Sequence, residues 1–220
     1  MDAIECIVTR KSIRKFLPGP VPKEILREVI AAALRSPSYL NTQPWEAVVV
    51  SGAKKDALAE MLAGLIERDA PVSSDLPKPG PWPAVNDARI KDNAAKRAQA
   101  LGQNNSAPDF RKQVRIANSR FYGAPHGIFL YQDTTLPPWS LMDIGGFAQT
   151  LMLAAHAKGL GAVPQGYLTE YSPEVKAFLG IPESKRLVLG MSIGYPDLSA
   201  PAAKYQSPRA SVDEIVRWVE

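Results

Sequence analysis

Proline constrains this chain more than any other residue. It occupies 20 of 220 positions, roughly twice the usual share of about 5%. A ring that fixes φ and removes the backbone donor is excluded from helix interiors and central strands. Five prolines, Pro71, Pro77, Pro79, Pro81 and Pro83, fall within residues 71–83, with Trp82 among them. That stretch reads as an extended loop. It does not read as a linker between domains, because the segments on both sides look like parts of one sandwich. The length suits a single domain, 1–220, with an elaborated insert near 71–107.

Between the prolines, the apolar pattern separates helices from strands. Ile25, Leu26, Val29, Ile30, Ala33 and Leu34 recur at helical spacing after Pro22 and predict a helix that stops at Ser36-Pro37. Glu46–Val50 is a β-branched run that predicts a buried strand. Leu58, Met61, Leu62, Leu65 and Ile66 predict a helix over 54–67, and polar helices follow over 84–101 and 108–121. Gly127–Gln132, Gly161–Val163 and Arg186–Ile193 predict strands. An apolar helix over 140–158 ends at Gly159. Ser172-Pro173 predicts an N-cap with proline at the first helical position, and Ser211 with Glu214 predicts a capping box. The resulting fold class is a mixed α/β or α+β sandwich.

Several function classes fall away. One cysteine, Cys6, gives no intrachain disulfide framework and suits a reducing cytoplasm. With only His126 and His156 beside it, a structural zinc site lacks ligands. The most apolar stretch, between Asp143 and Lys158, is 14 uncharged residues, whereas a membrane span wants about 18 or more. Gly190-Met191-Ser192-Ile193-Gly194 matches a hydrolase elbow, but that serine needs a helix after it and a histidine later in the chain. Here Tyr195-Pro196-Asp197 follows, and no histidine lies beyond His156. Gly159-Leu160-Gly161 closes a helix instead of opening one, so it is no dinucleotide fingerprint. Both histidines read as structural, and Cys6 as core or near-core packing.

Three segments carry chemistry. Alternation along Arg10-Lys11-Ser12-Ile13-Arg14 puts two guanidinium groups and a hydroxyl on one side of an extended segment. That set suits a phosphate ester; it also suits a solvated basic patch, including one that meets nucleic acid. Ser36–Trp45 concentrates Ser, Asn, Thr and Gln in a loop braced by Pro37 and Pro44, as a ligand loop or as a plain helix-to-strand connection. Val163-Pro164-Gln165-Gly166-Tyr167 places glycine where a flat ligand can approach the backbone.

Taken together, these motifs resemble the nitroreductase family. R-(R/K/H)-S-(I/V)-R stands at Arg10–Arg14, the A-P-S-x-x-N-x-Q-P-W loop at Ser36–Trp45 with serine for alanine, A-x-x-x-G-L-G with P-x-G at Ala155–Gly166, and G-Y-P-D at Gly194–Asp197. The resemblance implies a three-layer α+β sandwich, its mixed, mainly antiparallel sheet flanked by helices, in an intertwined homodimer. It further implies bound FMN and an NAD(P)H co-substrate, with nitroaromatics, quinones or related acceptors reduced in a ping-pong cycle. On that resemblance Arg10, Lys11 and Ser12 hold the phosphate, and Arg14 approaches flavin N1–O2. Pro37, Ser38, Tyr39, Asn41 and Gln43 arrive from the opposite subunit, while Pro164, Gln165 and Gly166 face N5 and O4. Arg209 closes the phosphate end, and Lys204 stands in for a basic residue where the sequence has Gln206. Trp82, Phe110 and Trp139 are substrate-stacking candidates, and the insert near 71–107 is where acceptor preference is set. Flavin performs the redox chemistry, so neither a catalytic nucleophile nor a metal is needed. Reductive dehalogenation, flavin fragmentation and non-catalytic flavin binding are alternatives on the same scaffold.

Overall fold

A computed structural model describes residues 1–77 and 80–220; Pro79, one of the loop prolines, lies outside them. Four strands, β1 (Glu46–Ser51), β2 (His126–Asp133), β3 (Gly161–Gln165) and β4 (Lys185–Gly194), form one sheet in the order β1-β2-β4-β3. All three ladders are antiparallel. Strand alternation gives the sheet two apolar faces. Phe129 enters a core with α3 (Gly52–Glu67) and with Phe121, Leu168, Tyr171 and Val175. Ile128 and Leu130 enter the other, with α2 (Lys23–Ala33), α6 (Ser140–Ala157) and Trp45. Trp45 stacks on Phe147 at 5.1 Å between ring centroids.

The register slips between Leu130 and Tyr131, which face Leu189 and Leu187 respectively. The extra residue in β4 reverses which side chains face which layer. Leu187 therefore joins the α3 core, whereas Met191 and Ile193 join the α2–α6 core.

Most expected elements form near their predicted bounds, including α4 (Ala84–Leu101) and the capping box before α9 (Val212–Ile215). α5 (Phe110–Ser119) ends sooner than expected, in a 3-10 turn at Phe121–Gly123. Three further results depart from expectation. Glu46–Val50 is an edge strand, with Val49 41% exposed and only Val50 fully buried. Its β-branched residues suit a pleated surface but do not specify a neighbour. Ser172 is not the cap of α7 (Ser172–Leu179): its hydroxyl donates to the Thr169 carbonyl and accepts from the Asp75 amide. A seven-residue helix, α1 (Ala3–Thr9), forms outside the expected set; its apolar Ile4, Ile7 and Val8 face solvent and only Cys6 is buried.

Among the described residues, no helix is long and apolar enough to cross a membrane.

Candidate functional site

Residues 10–14 run beside β3 as an extra extended segment. The Ile13 amide donates to the Ala162 carbonyl at 3.1 Å, and Ser12 forms a parallel bridge with Ala162. Ile13 points inward and is 5% exposed. A Cβ on Gly161 would lie 2.7 Å from the Ile13 side chain, so glycine there lets the two backbones meet. With Ile13 held in the core, Arg10, Ser12 and Arg14 face the opposite way.

They line a cavity of about 340 Å³, closed by Lys11, by Ile7 and Val8 of α1, and by Tyr205, Gln206, Ser207 and Arg209 of the tail. Among the described residues, four cationic side chains line it and no carboxylate does. Burial, followed by the neighbouring Arg209 guanidinium, holds Arg10 below the usual arginine range. Arg10 Nε is buried without a hydrogen-bond partner. Crowded guanidinium groups and an orphaned donor make a strong anion site, because a buried charge is costly until it is paired. Among the described residues, Arg209 donates only to the Ser207 and Pro208 carbonyls.

Lys204 is exposed and does not line this cavity. It follows α8 (Pro201–Lys204) away from the pocket, whereas Gln206 lines the wall and donates to the Val8 carbonyl at 2.8 Å. An uncharged amide holds that position.

The second segment has a different character. Ser36 is buried and hydrogen-bonds Thr150, and Pro44 and Trp45 anchor the other end. Between them Leu40, Asn41 and Gln43 have φ of 49°, 62° and 47°. For a leucine that conformation is strained. The loop is braced locally: Gln43 N–H donates to Ser38 Oγ, Asn41 N–H to the Ser38 carbonyl, and Tyr39 N–H to the Asp143 carboxylate. Pro37, Tyr39, Asn41 and Gln43 are nevertheless exposed, and Leu40 is 83% exposed. None of these residues, nor Ser38, lines the cationic cavity of its own chain.

Pro164 and Gln165 end β3, and Gly166 opens a 3-10 turn, Gly166–Thr169. The Gln165 side chain does not face the cleft. It is 2% exposed, donates to the Asn118 backbone carbonyl and Oδ1, and accepts from Ser192 Oγ. The side chain is committed to the interior. Ser192 is thus a strand residue engaged by an amide, as the hydrolase exclusion requires. Gly166 is exposed, with nothing near where a Cβ would stand.

The three aromatic candidates lie apart. Trp82 shares a cavity of about 550 Å³ with Gly166, Tyr167 and Glu170. Phe110 lines another, of about 360 Å³, with Arg14. Trp139 is 58% exposed and meets Tyr39 edge-on at 6.3 Å. Sequence reasoning missed Tyr122, Asn118 and Arg97. Asn118 Nδ2 donates to the Tyr122 hydroxyl, and the Asn118 carbonyl receives Gln165. Burial and then Arg97 lower the Arg14 pKa, with Tyr122 opposing them.

Both histidines have hydrogen-bond partners within the chain. His126 Nε2 accepts from the Val21 amide, so the neutral ring carries its hydrogen on Nδ1, toward Ser51. Burial and then Lys55 keep His126 below the ordinary imidazole range. His156 lies beside Thr9, whose hydroxyl also donates to the Glu5 carbonyl.

Sheet order, two cores and a cationic cradle define a class: an α+β sandwich with a cationic cleft beside β3. More narrowly, the chain belongs to the nitroreductase family, whose model matches residues 7–195. It is 37% identical to "Nitroreductase NfnB" of Mycolicibacterium smegmatis, covering 95% of this chain and 89% of that protein. It is 33% identical to a "4-nitrobenzoate reductase" of Pseudomonas putida, covering 94% and 90%. The crystal structure of the FMN-dependent nitroreductase NfnB from Mycobacterium smegmatis in complex with NADPH superposes with a TM-score of 0.94, at 36% identity, covering 99% of this chain and 98% of that one.

Proposed function

We propose that this protein is an FMN-dependent oxidoreductase that uses NAD(P)H to reduce nitroaromatics, quinones or related acceptors. The observation that carries this reading is the cationic cradle, with its buried, unpartnered Arg10 Nε and no carboxylate in its wall. That donor set fits a phosphate ester: guanidinium forks, an ammonium and a hydroxyl. Membership of the family supports it, as does close likeness to an FMN-dependent nitroreductase crystallised with NADPH.

FMN, when bound, supplies the two-electron exchange between nicotinamide and acceptor. The chain's own residues bind and orient. Arg10, Lys11, Ser12 and Arg209 would hold the phosphate. Arg14 would place positive charge where negative charge accumulates during reduction, a service worth most in a site shielded from water. Gly166 would leave the approach to the ring edge open, with backbone N–H groups of the 165–166 turn as donors. Pro164 fixes the backbone that enters this turn.

The reading includes a homodimer in which Pro37, Ser38, Tyr39, Asn41 and Gln43 reach the partner's cleft. Its support is the braced, solvent-facing loop together with exposed apolar groups at Leu40, Val49, Met142, Trp218 and Val219. It also includes one unit across 1–220, a cytoplasmic location suited to a free Cys6, and an insert near 71–107 that shapes acceptor choice.

The test is anaerobic. Purified protein is expected to take up FMN, turn yellow, bleach with NADPH or NADH, and recover its colour when a nitroaromatic is added. A protein that takes up no FMN would overturn the proposal.

A further inference from the structure

Arg14 carries the charge on which the proposed site depends, yet its own segment does little to hold it. Nη1 makes one long hydrogen bond, to the Ser12 carbonyl at 3.4 Å. Among the described residues, no carboxylate lines either of the two cavities that Arg14 borders. Arg97 reaches the second of them on α4, which the tail docks: the Tyr205 hydroxyl reaches Asn93 Oδ1 at 2.8 Å. A neighbouring guanidinium repels Arg14, so a neutral acceptor must keep it in place. The polar neutral groups on that wall are Gln103, Gln113 and Tyr122. Both glutamines are exposed, and Gln113 is engaged with Asp109. Tyr122 is half-buried. Burial lowers the Arg14 pKa, and the Tyr122 hydroxyl oxygen opposes it.

Tyr122 is itself tightly constrained. Phe121, Tyr122 and Gly123 have φ of 54°, 53° and 79°, a left-handed turn that is costly for a residue with a side chain. Burial of the Phe121 ring anchors it, and Gly127 leaves the room: a Cβ there would stand 2.5 Å from that ring. The turn folds Tyr122 back onto α5, where Asn118 Nδ2 donates to its hydroxyl at 2.8 Å. The Asn118 amide has one orientation, because the same nitrogen donates to the Val114 carbonyl while Oδ1 accepts from Gln165. Gln165 is fixed in turn by the Asn118 carbonyl and by Ser192 Oγ. This buried chain of amides occupies one lone pair of the Tyr122 oxygen and leaves the other for a second donor.

A carboxylate in that place would hold a guanidinium more firmly but would cancel its field. A neutral oxygen holds it and leaves the charge uncompensated, ready for negative charge on a ligand. We propose that Tyr122, braced by Asn118, is a positioning residue that fixes the Arg14 guanidinium with its charge intact and so sets how strongly the site favours reduced over oxidised flavin. The consequence for flavin rests on the reductase reading; the bracing of Arg14 does not. Tyr122 acts through Arg14 and not on the reacting atoms.

The test measures the midpoint potential of FMN-loaded protein by equilibration with redox dyes. Tyr122→Phe keeps the ring and the backbone and removes only the oxygen. The preference for reduced flavin should fall about tenfold, which lowers the two-electron potential by about 30 mV. Arg14→Gln should lower it at least as far, and adding Tyr122→Phe to Arg14→Gln should lower it no further. Tyr171→Phe is the matched control: it removes another tyrosine oxygen that accepts from an arginine, Arg115 at 3.0 Å, and should leave the potential unchanged. An unchanged potential in Tyr122→Phe, additive effects in the double variant, or an equal shift in Tyr171→Phe would overturn the proposal. NMR of the full chain without FMN supplies a second measurement. Arg14 Nε–H is expected to exchange with water at least tenfold more slowly than that of the exposed Arg111, and Tyr122→Phe should remove the protection. Equal exchange of the two arginines in the unsubstituted protein would overturn the bracing, whether or not the variants fold. If no FMN is taken up while Arg14 behaves as described, the reductase reading fails and the bracing stands.

Discussion

Residues 10–14 and residues 36–45 carry the two most informative motifs, yet the fold treats them in opposite ways. The first is extended, unstrained and pinned through Ile13 to the core, so its polar face is aimed by packing alone. The second holds three non-glycine residues at positive φ and presents its side chains to solvent. The 10–14 segment completes a cavity within its own chain. The 36–45 loop does not line that cavity. A site can thus be half built by a protomer's own core and half prepared, at conformational cost, for another surface.

Leu40→Asp tests the contrast most severely. If the loop tip is buried between subunits, an unpaired carboxylate there should weaken association about a hundredfold or more, on the order of 3 kcal/mol, and FMN affinity should fall with it. Sedimentation and flavin titration read both; a dimer of normal affinity would break the comparison. Arg10→Gln attacks the self-contained half. Loss of a charge-assisted contact of about 1.5–3 kcal/mol should raise the Kd for FMN by roughly ten- to hundredfold, leaving the oligomeric state unchanged. The smallest effect is a gain. Gln206→Arg would add a fifth cation to the cradle, and FMN affinity should rise about threefold, roughly 0.65 kcal/mol net of the lost Val8 contact.

How much of this was legible follows from how far each feature depends on distant residues. The helices at 23–33, 52–67 and 140–157 write their buried faces into local spacing, and Gly159, at φ 74°, marks a stop that any reader of turns would find. The Arg10–Arg14 alternation was legible because a strand displays its faces in sequence order. The edge position of β1 was not, since Val48 and Val49 look alike whether or not a neighbour covers them. Nor was the burial of Gln165, which depends on Asn118 and Ser192 arriving from α5 and β4. That Gln206 lines the cradle wall and Lys204, two places earlier, does not, follows from the course of the tail. Arg97 sits on a polar helix among other cations, and only the packing of α4 against the tail gives it a destination.

The clamp between Ile13 and Gly161 has one more consequence. Because the backbone that carries Arg10 and Ser12 belongs to the same core as α3 and Phe121, any anion that occupies the cradle also tightens the interior. Occupancy is then linked to resistance against local unfolding. A chain whose cradle stands empty is then expected to open locally more often and to be cleaved sooner by proteases, so occupancy sets how long the protein lasts.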